Sequence, residues 1–144
     1  MPGSSPTLRI GLIGVGFGAK VHAPAFQSEG CEITAVVARR PERAEAAKVE
    51  LGAKHALTDF REMMRLDEID AVAIASPPAE HREMVLAALA AGKHVLCEKP
   101  FALNVAEAVE MSPMSFASPP VGCGSRSCWT KAISARRDSS GRAC

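Results

Sequence analysis

The stretch LRIGLIGVGFGA, residues 8–19, decides the fold of this chain. An apolar run that ends in closely spaced glycines predicts a strand, a tight turn and a helix, and this arrangement makes a socket for a pyrophosphate. Gly14 permits the tight turn, Gly16 lets the backbone approach a phosphate, and Ala19 occupies the small position where helix and strand pack closely. The residues of this turn that we assign to cofactor binding are Gly14, Gly16, Phe17, Gly18 and Ala19. Glycine-rich turns also occur for purely structural reasons, so the rest of the chain must support the assignment.

Apolar and amphipathic segments alternate regularly after this turn. The predicted strands are residues 8–13, 31–38, 55–57, 71–75 and 94–97. The predicted helices are residues 20–28, 41–52, 59–66, 78–92 and 104–111, with Pro24 expected to shorten or kink the first one. Such alternation predicts the α/β class and a doubly wound parallel sheet of the Rossmann type.

The composition changes near Met111. Residues 1–111 carry a net charge of −3, whereas residues 112–144 carry +4 and are rich in Ser, Pro, Gly, Arg and Cys without a hydrophobic period. We therefore expect a disordered N-terminus over residues 1–7, a Rossmann domain over residues 8–111 and an irregular, disordered or non-native tail over residues 112–144.

Bulk properties exclude several classes of function. The net charge of +1 gives no reason to expect a nucleic-acid or membrane partner. Residues 1–7 contain neither a basic start nor an apolar core, so we expect no signal peptide and a cytoplasmic location. The five cysteines form no C-x-x-C pair and have no histidine at zinc-ligand spacing, so we expect no metal site.

The end of the second predicted strand carries two arginines, Arg39 and Arg40. NAD-binding domains usually place an acidic residue there, on the ribose 2′-hydroxyl. Without that carboxylate, a 2′-phosphate is not repelled, and a guanidinium can hold it through two hydrogen bonds. The sequence favours NADP over NAD, although the alternative that both arginines simply solvate a helix start remains open.

Two further clusters follow later strands, at the edge where open α/β sheets bind their ligands. The first contains Ser76, Pro77, Pro78 and His81. The second contains Glu98, Lys99 and Pro100, in which Lys99 can bond a substrate hydroxyl or the nicotinamide ribose while Glu98 orients it. The alternative is that the prolines end strands and that Glu98 and Lys99 form a surface ion pair.

The glycine turn, the segment IASPP with His81, and the segment GKHVLCEKP over residues 92–100 together resemble the N-terminal domain of the Gfo/Idh/MocA oxidoreductases. The resemblance covers roughly residues 8–111, and Glu-Lys-Pro is its specific element. It implies that the domain binds NAD(P), that Lys99 is the catalytic residue at the substrate hydroxyl, and that His81 lines the cofactor site. For His22 it leaves packing and cofactor contact open.

The resemblance implies hydride transfer between nicotinamide and a sugar, inositol or related polyol. It also implies a second, substrate-binding domain, which we do not find in residues 112–144. We therefore expect this chain alone to have negligible activity and to self-associate through the sheet face left uncovered. A frame-changed tail and a native disordered tail both remain open. A non-catalytic dinucleotide-binding sensor or partner subunit is the alternative function, and an S-adenosylmethionine-binding domain is a third that leaves Glu-Lys-Pro unexplained.

Overall fold

The computed structural model describes residues 7–112. The predictions for residues 1–6 and 113–144, including both explanations of the tail, lie outside this range. The strands are β1 (Arg9–Ile13), β2 (Glu32–Val37), β3 (His55–Leu57), β4 (Ala71–Ile74) and β5 (His94–Cys97). The helices are α1 (Ala23–Ser28), α2 (Pro41–Leu51), α3 (Phe60–Met64), α4 (Pro78–Ala90) and α5 (Val105–Met111).

All five strands run parallel in the order β3-β2-β1-β4-β5. The chain starts in the middle of the sheet, winds outward through β2 and β3, then returns to the other side of β1 with β4 and β5. This reversal of direction occurs between β1 and β4. The predicted doubly wound α/β fold is confirmed, and such a switch point is where these sheets bind ligands.

Helices pack against both faces of the sheet, and the outer strands β3 and β5 stay partly exposed. One face packs against α3, α4 and α5 through a core that includes Phe60, Met63, Val85 and Met111. The other face packs against α1 and α2 through a second core that includes Leu12, Ala23, Val36, Ala47 and Leu51. Strands β1, β2 and β4 are almost entirely buried because they have a helix layer on each side, which explains their nearly continuous apolar sequences.

Helix ends follow the signals in the sequence. Pro41 and Pro78 each occupy the first turn of a helix, where the missing N–H removes no hydrogen bond. Asp59 and Asn104 cap α3 and α5, accepting hydrogen bonds from the N–H groups of residues Arg61 and Glu107. The helix predicted from residue 20 begins two residues earlier, as a π-helical turn over Gly18–His22 that continues into α1. Pro24 lies in the first turn of α1, directly after this π-helical turn, and its predicted shortening or kinking of the helix stays a prediction.

Large apolar side chains are exposed at the β5 end of the sheet, namely Leu96, Phe101, Leu103, Val105 and Val109. Self-association through an uncovered face stays a prediction. None of the helices in residues 7–112 is long and apolar enough to cross a membrane.

Candidate functional site

An open cleft of about 820 Å³ lies at the carboxyl ends of the strands. Its walls come from the segments that follow β1, β2, β3 and β4, together with the first turns of α2, α3 and α4. The predicted site residues that line it are Gly14, Gly16, Arg39, Arg40, Ser76 and Pro77. The cleft therefore joins the glycine turn to the two arginines and to the segment after β4.

Gly14 makes the turn possible. Its φ of +93° lies in the left-handed region, and a Cβ there would stand 2.5 Å from the carbonyl oxygen of Ala75. Its N–H donates to Val37 O at 3.0 Å, which ties the turn to the end of β2. Apart from Gly16 itself and its two chain neighbours, no heavy atom of the described residues lies within 4 Å of its Cβ position, so that side of the turn faces open space.

The close approach of helix and strand falls at Gly18. A Cβ on Gly18 would lie 2.9 Å from Leu12 Cδ1 and 3.2 Å from Ala75 Cβ. Ala19, to which the spacing of the turn assigns this role, is buried in the adjacent core. Phe17 is 54% exposed, and the edge of its ring meets His22 at a centroid distance of 5.4 Å.

The two arginines after β2 differ in their surroundings. Arg39 forms an ion pair with Glu80 in the first turn of α4. Arg40 is the residue before α2, and no ion-pair partner for it exists within residues 7–112. Arg43, one turn into α2, also lines the cleft and was not predicted. Arg43 stands three residues after Arg40 on a helix that begins at the site. Because residues three apart lie on the same face of a helix, this spacing could have placed Arg43 in the cleft.

Sequence reasoning also missed the wall that follows β3. Thr58, Asp59 and Arg61 line the cleft there. The Arg61 guanidinium forms an ion pair with Glu83 and lies 4.6 Å from the centroid of the Phe60 ring. β3 has only three residues and is a weak signal in the sequence, although the rule that strand ends carry ligand contacts applies to it equally.

The segment after β4 contributes Ser76 and Pro77 to the cleft, while Pro78 begins α4 and is not part of the lining. The Ser76 hydroxyl lies 3.2 Å from Met84 Sδ, so it is held against the wall of the cleft.

His81 is fully buried and does not line the cleft. Its Nε2 lies 2.8 Å from Ser76 O and its Nδ1 lies 3.0 Å from Pro100 O. Both ring nitrogens are thus directed at backbone carbonyls. The ring ties the segment after β4 to the segment after β5, and any effect of His81 on a ligand acts through these two segments.

Glu98, Lys99 and Pro100 continue from the end of β5. One Glu98 oxygen lies 2.7 Å from His22 Nε2, although the contact is not aligned as a hydrogen bond. The other accepts the N–H of Lys99 at 3.2 Å. The carboxylate therefore positions the Lys99 backbone and contacts the π-helical turn, while the Lys99 side chain is exposed. His22 packs between Phe17 and Phe26.

Cys97 lies next to this segment but is a poor nucleophile. Burial, reinforced by the neighbouring Glu98 carboxylate, raises the pKa of its thiol to about 11. The Lys99–Pro100 peptide bond is cis. Within residues 7–112, three or more His, Cys, Asp or Glu side chains do not come together in a group that could hold a metal ion.

The family model described as an oxidoreductase family with an NAD-binding Rossmann fold matches residues 8–115. This match spans most of the chain. The chain belongs to the Gfo/Idh/MocA oxidoreductase family.

Individual relatives agree with this assignment. The chain is 48% identical over 87 residues to scyllo-inositol 2-dehydrogenase (NADP(+)) IolU of Bacillus subtilis, a match that covers 60% of this chain and 26% of that enzyme. The structure of KijD10, a 3-ketoreductase from Actinomadura kijaniata in complex with NADP, matches with a TM-score of 0.69 and 32% identity over 73% of this chain and 34% of that one. A levoglucosan dehydrogenase in complex with NADH matches with a TM-score of 0.70 and 32% identity over 73% of this chain and 31% of that one.

The chain spans 26% to 32% of the length of the curated relatives it matches. The similarity therefore concerns their NAD-binding part.

Proposed function

We propose that residues 7–112 form the dinucleotide-binding part of an oxidoreductase that transfers hydride between NAD(P) and a sugar, inositol or related polyol. The observation that carries the proposal is that three segments lie close together at the carboxyl ends of the strands. The glycine turn after β1 and the segment after β4 line one cleft. Through His81, the segment after β4 is also joined to the Glu98-Lys99-Pro100 segment. A phosphate socket after β1 and an exposed lysine after β5 are thus held at the same edge of the sheet, on the two strands that flank β4.

The residues present fit a nicotinamide dinucleotide. The open space beside Gly16 admits a pyrophosphate to the backbone, which a side chain there would obstruct. Arg39, Arg40 and Arg43 supply positive charge at the adenosine end, beyond β2. In this proposal, Ser76 and Pro77 border the nicotinamide end, towards Glu98 and Lys99.

When bound, the cofactor supplies the carbon that accepts or donates the hydride. We assign Lys99 to the reacting hydroxyl of the substrate, where its ammonium donates a hydrogen bond to the hydroxyl oxygen. This bond stabilises the negative charge that develops on the oxygen as the hydroxyl proton passes to solvent water and the hydride leaves. Glu98 acts on Lys99 through the backbone, since its carboxylate accepts a hydrogen bond from the Lys99 N–H and also contacts His22. Its role is to fix the position of this segment relative to the glycine turn.

Within this function we propose a preference for NADP over NAD. Strand β2 ends in Val37, and Ala38-Arg39-Arg40 follows without a carboxylate. Three arginines of this region line the cleft. A 2′-phosphate would meet guanidinium groups that can hold it by charge-assisted hydrogen bonds.

We also propose a cytoplasmic location, because the protein would depend on a free nicotinamide dinucleotide. Fractionation of cells that express the tagged protein would test it.

Calorimetric titration of the full chain with NADPH and with NADH tests the proposal. We expect both to bind and NADPH to bind about tenfold more tightly, the equivalent of one charge-assisted hydrogen bond. Arg40→Gln should reduce that ratio and leave NADH affinity unchanged. Equal affinity for both nucleotides would overturn the NADP preference, and binding of neither would overturn the function.

Turnover is a separate measurement. With NADP and a panel of polyols, we expect negligible activity from this chain, because Lys99 is the single side chain of residues 7–112 that we assign to the reacting centre. Robust polyol oxidation by the chain would show that this assignment is incomplete.

A further inference from the structure

Two ion pairs cross the adenosine end of the cleft. Arg39, which follows β2, pairs with Glu80, and Arg61 of α3 pairs with Glu83. Glu80 and Glu83 lie one turn apart in α4, so one helix presents both carboxylates to arginines on the opposite wall. All four side chains belong to residues that line the cleft.

The Arg39–Glu80 pair makes the two arginines after β2 unequal. The contact joins Arg39 Nη2 to Glu80 Oε1, with the arginine side chain 76% exposed and the glutamate side chain 32% exposed. The Glu80 side chain is thus the more buried of the two, and the exposed Arg39 side chain extends across the cleft to it. Arg40 has no such partner within residues 7–112.

We propose that Glu80 sets the preference between NADP and NAD by competing with the 2′-phosphate for Arg39. This inference rests on the proposed function. A phosphate that uses the same guanidinium edge must displace the Glu80 carboxylate, and it then lies close to that negative charge. NAD carries a hydroxyl at this position, so the carboxylate can stay on Arg39 when NAD binds. Glu80 therefore lowers the affinity for NADP and leaves that for NAD unchanged. The arginines raise the affinity for NADP, and the Glu80 carboxylate reduces that gain.

A purely structural role for the pair predicts something different. An exposed ion pair of this kind adds little to stability, and its removal should not alter the choice between two nucleotides that share every other group. The ratio of the two affinities therefore separates competition at Arg39 from a general effect on the fold.

The test is calorimetric titration of the full chain and of Glu80→Gln with NADPH and NADH. We expect Glu80→Gln to bind NADPH about fivefold more tightly and to change NADH affinity by less than about twofold, as one exposed charge near a phosphate predicts. Glu110→Gln is the matched control. It removes one carboxylate from an exposed arginine pair, with Arg82 at 2.6 Å, outside the cleft, and should change neither affinity.

Two further variants show whether Arg39 mediates the effect. Glu80→Asp keeps the charge but shortens the side chain, so its NADPH affinity should fall between those of the wild type and Glu80→Gln. In an Arg39→Gln background, Glu80→Gln should gain less NADPH affinity than it does with Arg39 present, because no guanidinium is released. A thermal midpoint recorded for each variant verifies folding.

An unchanged NADPH-to-NADH ratio in Glu80→Gln, with both nucleotides still bound, would overturn the inference and leave the proposed function standing. Failure of the wild-type chain to bind either nucleotide would overturn both.

Discussion

The two edges of the sheet use charged residues in opposite ways. At the amino ends of the strands, Arg9 holds Asp70 through Nε at 3.2 Å and Nη2 at 3.0 Å, and its own N–H donates to the same carboxylate. Lys54 bridges Glu32 at 2.9 Å and Glu68 at 3.6 Å. These contacts join the starts of neighbouring strands. The charged residues at this edge therefore stabilise the fold.

At the carboxyl ends, the charges face a cleft instead. Arg40 and Arg43 have no ion-pair partner within residues 7–112. Arg39 is paired across the cleft with Glu80, and Arg61 is paired across it with Glu83 and on its own wall with Asp59. The turn after β1 lines the same cleft with two glycines, Gly14 and Gly16. Charged side chains thus stabilise the fold at the amino edge and face the cleft at the carboxyl edge, so substitutions of charged residues at the two edges should have separable effects.

The largest expected effect is that of Gly14→Ala. The left-handed φ and a Cβ 2.5 Å from Ala75 O together should lower the free energy of unfolding by about 2–4 kcal/mol and abolish NADPH binding. Gly52→Ala is the control, because its φ is +68° but no atom lies within 4 Å of the added Cβ, so it should cost only about 1 kcal/mol. Urea denaturation measures both. Equal losses would contradict the close packing of the turn against Ala75.

Lys93→Met should come next and should affect stability alone. Lys93 is buried near the amino edge, and its Nζ donates to Leu66 O at 2.7 Å and Ile69 O at 3.0 Å. Burial lowers the pKa of the amine, yet the two carbonyls depend on it for hydrogen bonds. Removing it should cost about 1–3 kcal/mol in urea denaturation while the folded protein keeps its NADPH affinity.

Lys48→Met is the control for this prediction, since Lys48 has only a 3.5 Å pairing with Glu45 on the same helix. A loss of NADPH affinity in Lys93→Met without a loss of stability would contradict the separation of the two edges.

Gly16→Ala should have the reverse effect. Its Cβ enters open space, so stability should change by less than about 0.5 kcal/mol. The same methyl group would stand where we place the pyrophosphate, and NADPH binding should weaken about tenfold, or 1.4 kcal/mol. Calorimetry and urea denaturation on one preparation give both numbers. Unchanged affinity would remove the glycine turn from the proposed site.

The smallest effect concerns pH and Glu68. A hydrogen bond from His55, aided by Lys54, lowers the pKa of the Glu68 carboxyl below its ordinary value of 4.5. The unfolded chain therefore binds a proton more readily than the folded one, so this contribution to stability is present above pH 4.5 and is lost as the pH falls through the lower, folded pKa. The thermal midpoint of wild type should thus fall more steeply than that of Glu68→Gln between pH 5 and pH 3. Parallel curves would show that the pair contributes nothing.

Much of the fold could be predicted from the sequence because local signals and the fold agree. The five strands, the proline-initiated helices and the ending of α2 at Gly52 all depend on short-range patterns that the structure reproduces. The π-helical turn could not be predicted, because the local pattern of apolar and polar residues indicates a helix but not its type.

The site was only partly predictable for the same reason. Strand ends indicated Arg39, Ser76 and Lys99, since position along the chain determines which edge a residue reaches. Contacts between elements carry no local signal. The pairing of Arg39 with Glu80 and the burial of His81 between two carbonyls arise only when the start of α4 comes close to the segments that follow β2, β4 and β5.

The contrast between the two edges is tested most directly by an NMR titration of the ¹⁵N-labelled chain with NADPH. We expect amide shift changes at the carboxyl edge, at Gly14, Gly16, Arg40, Ser76 and Lys99. We expect none at the amino edge, at Arg9, Lys54, His55 and Lys93. Shift changes centred on the amino edge, or no changes at saturating NADPH, would contradict a binding site at the carboxyl ends of the strands.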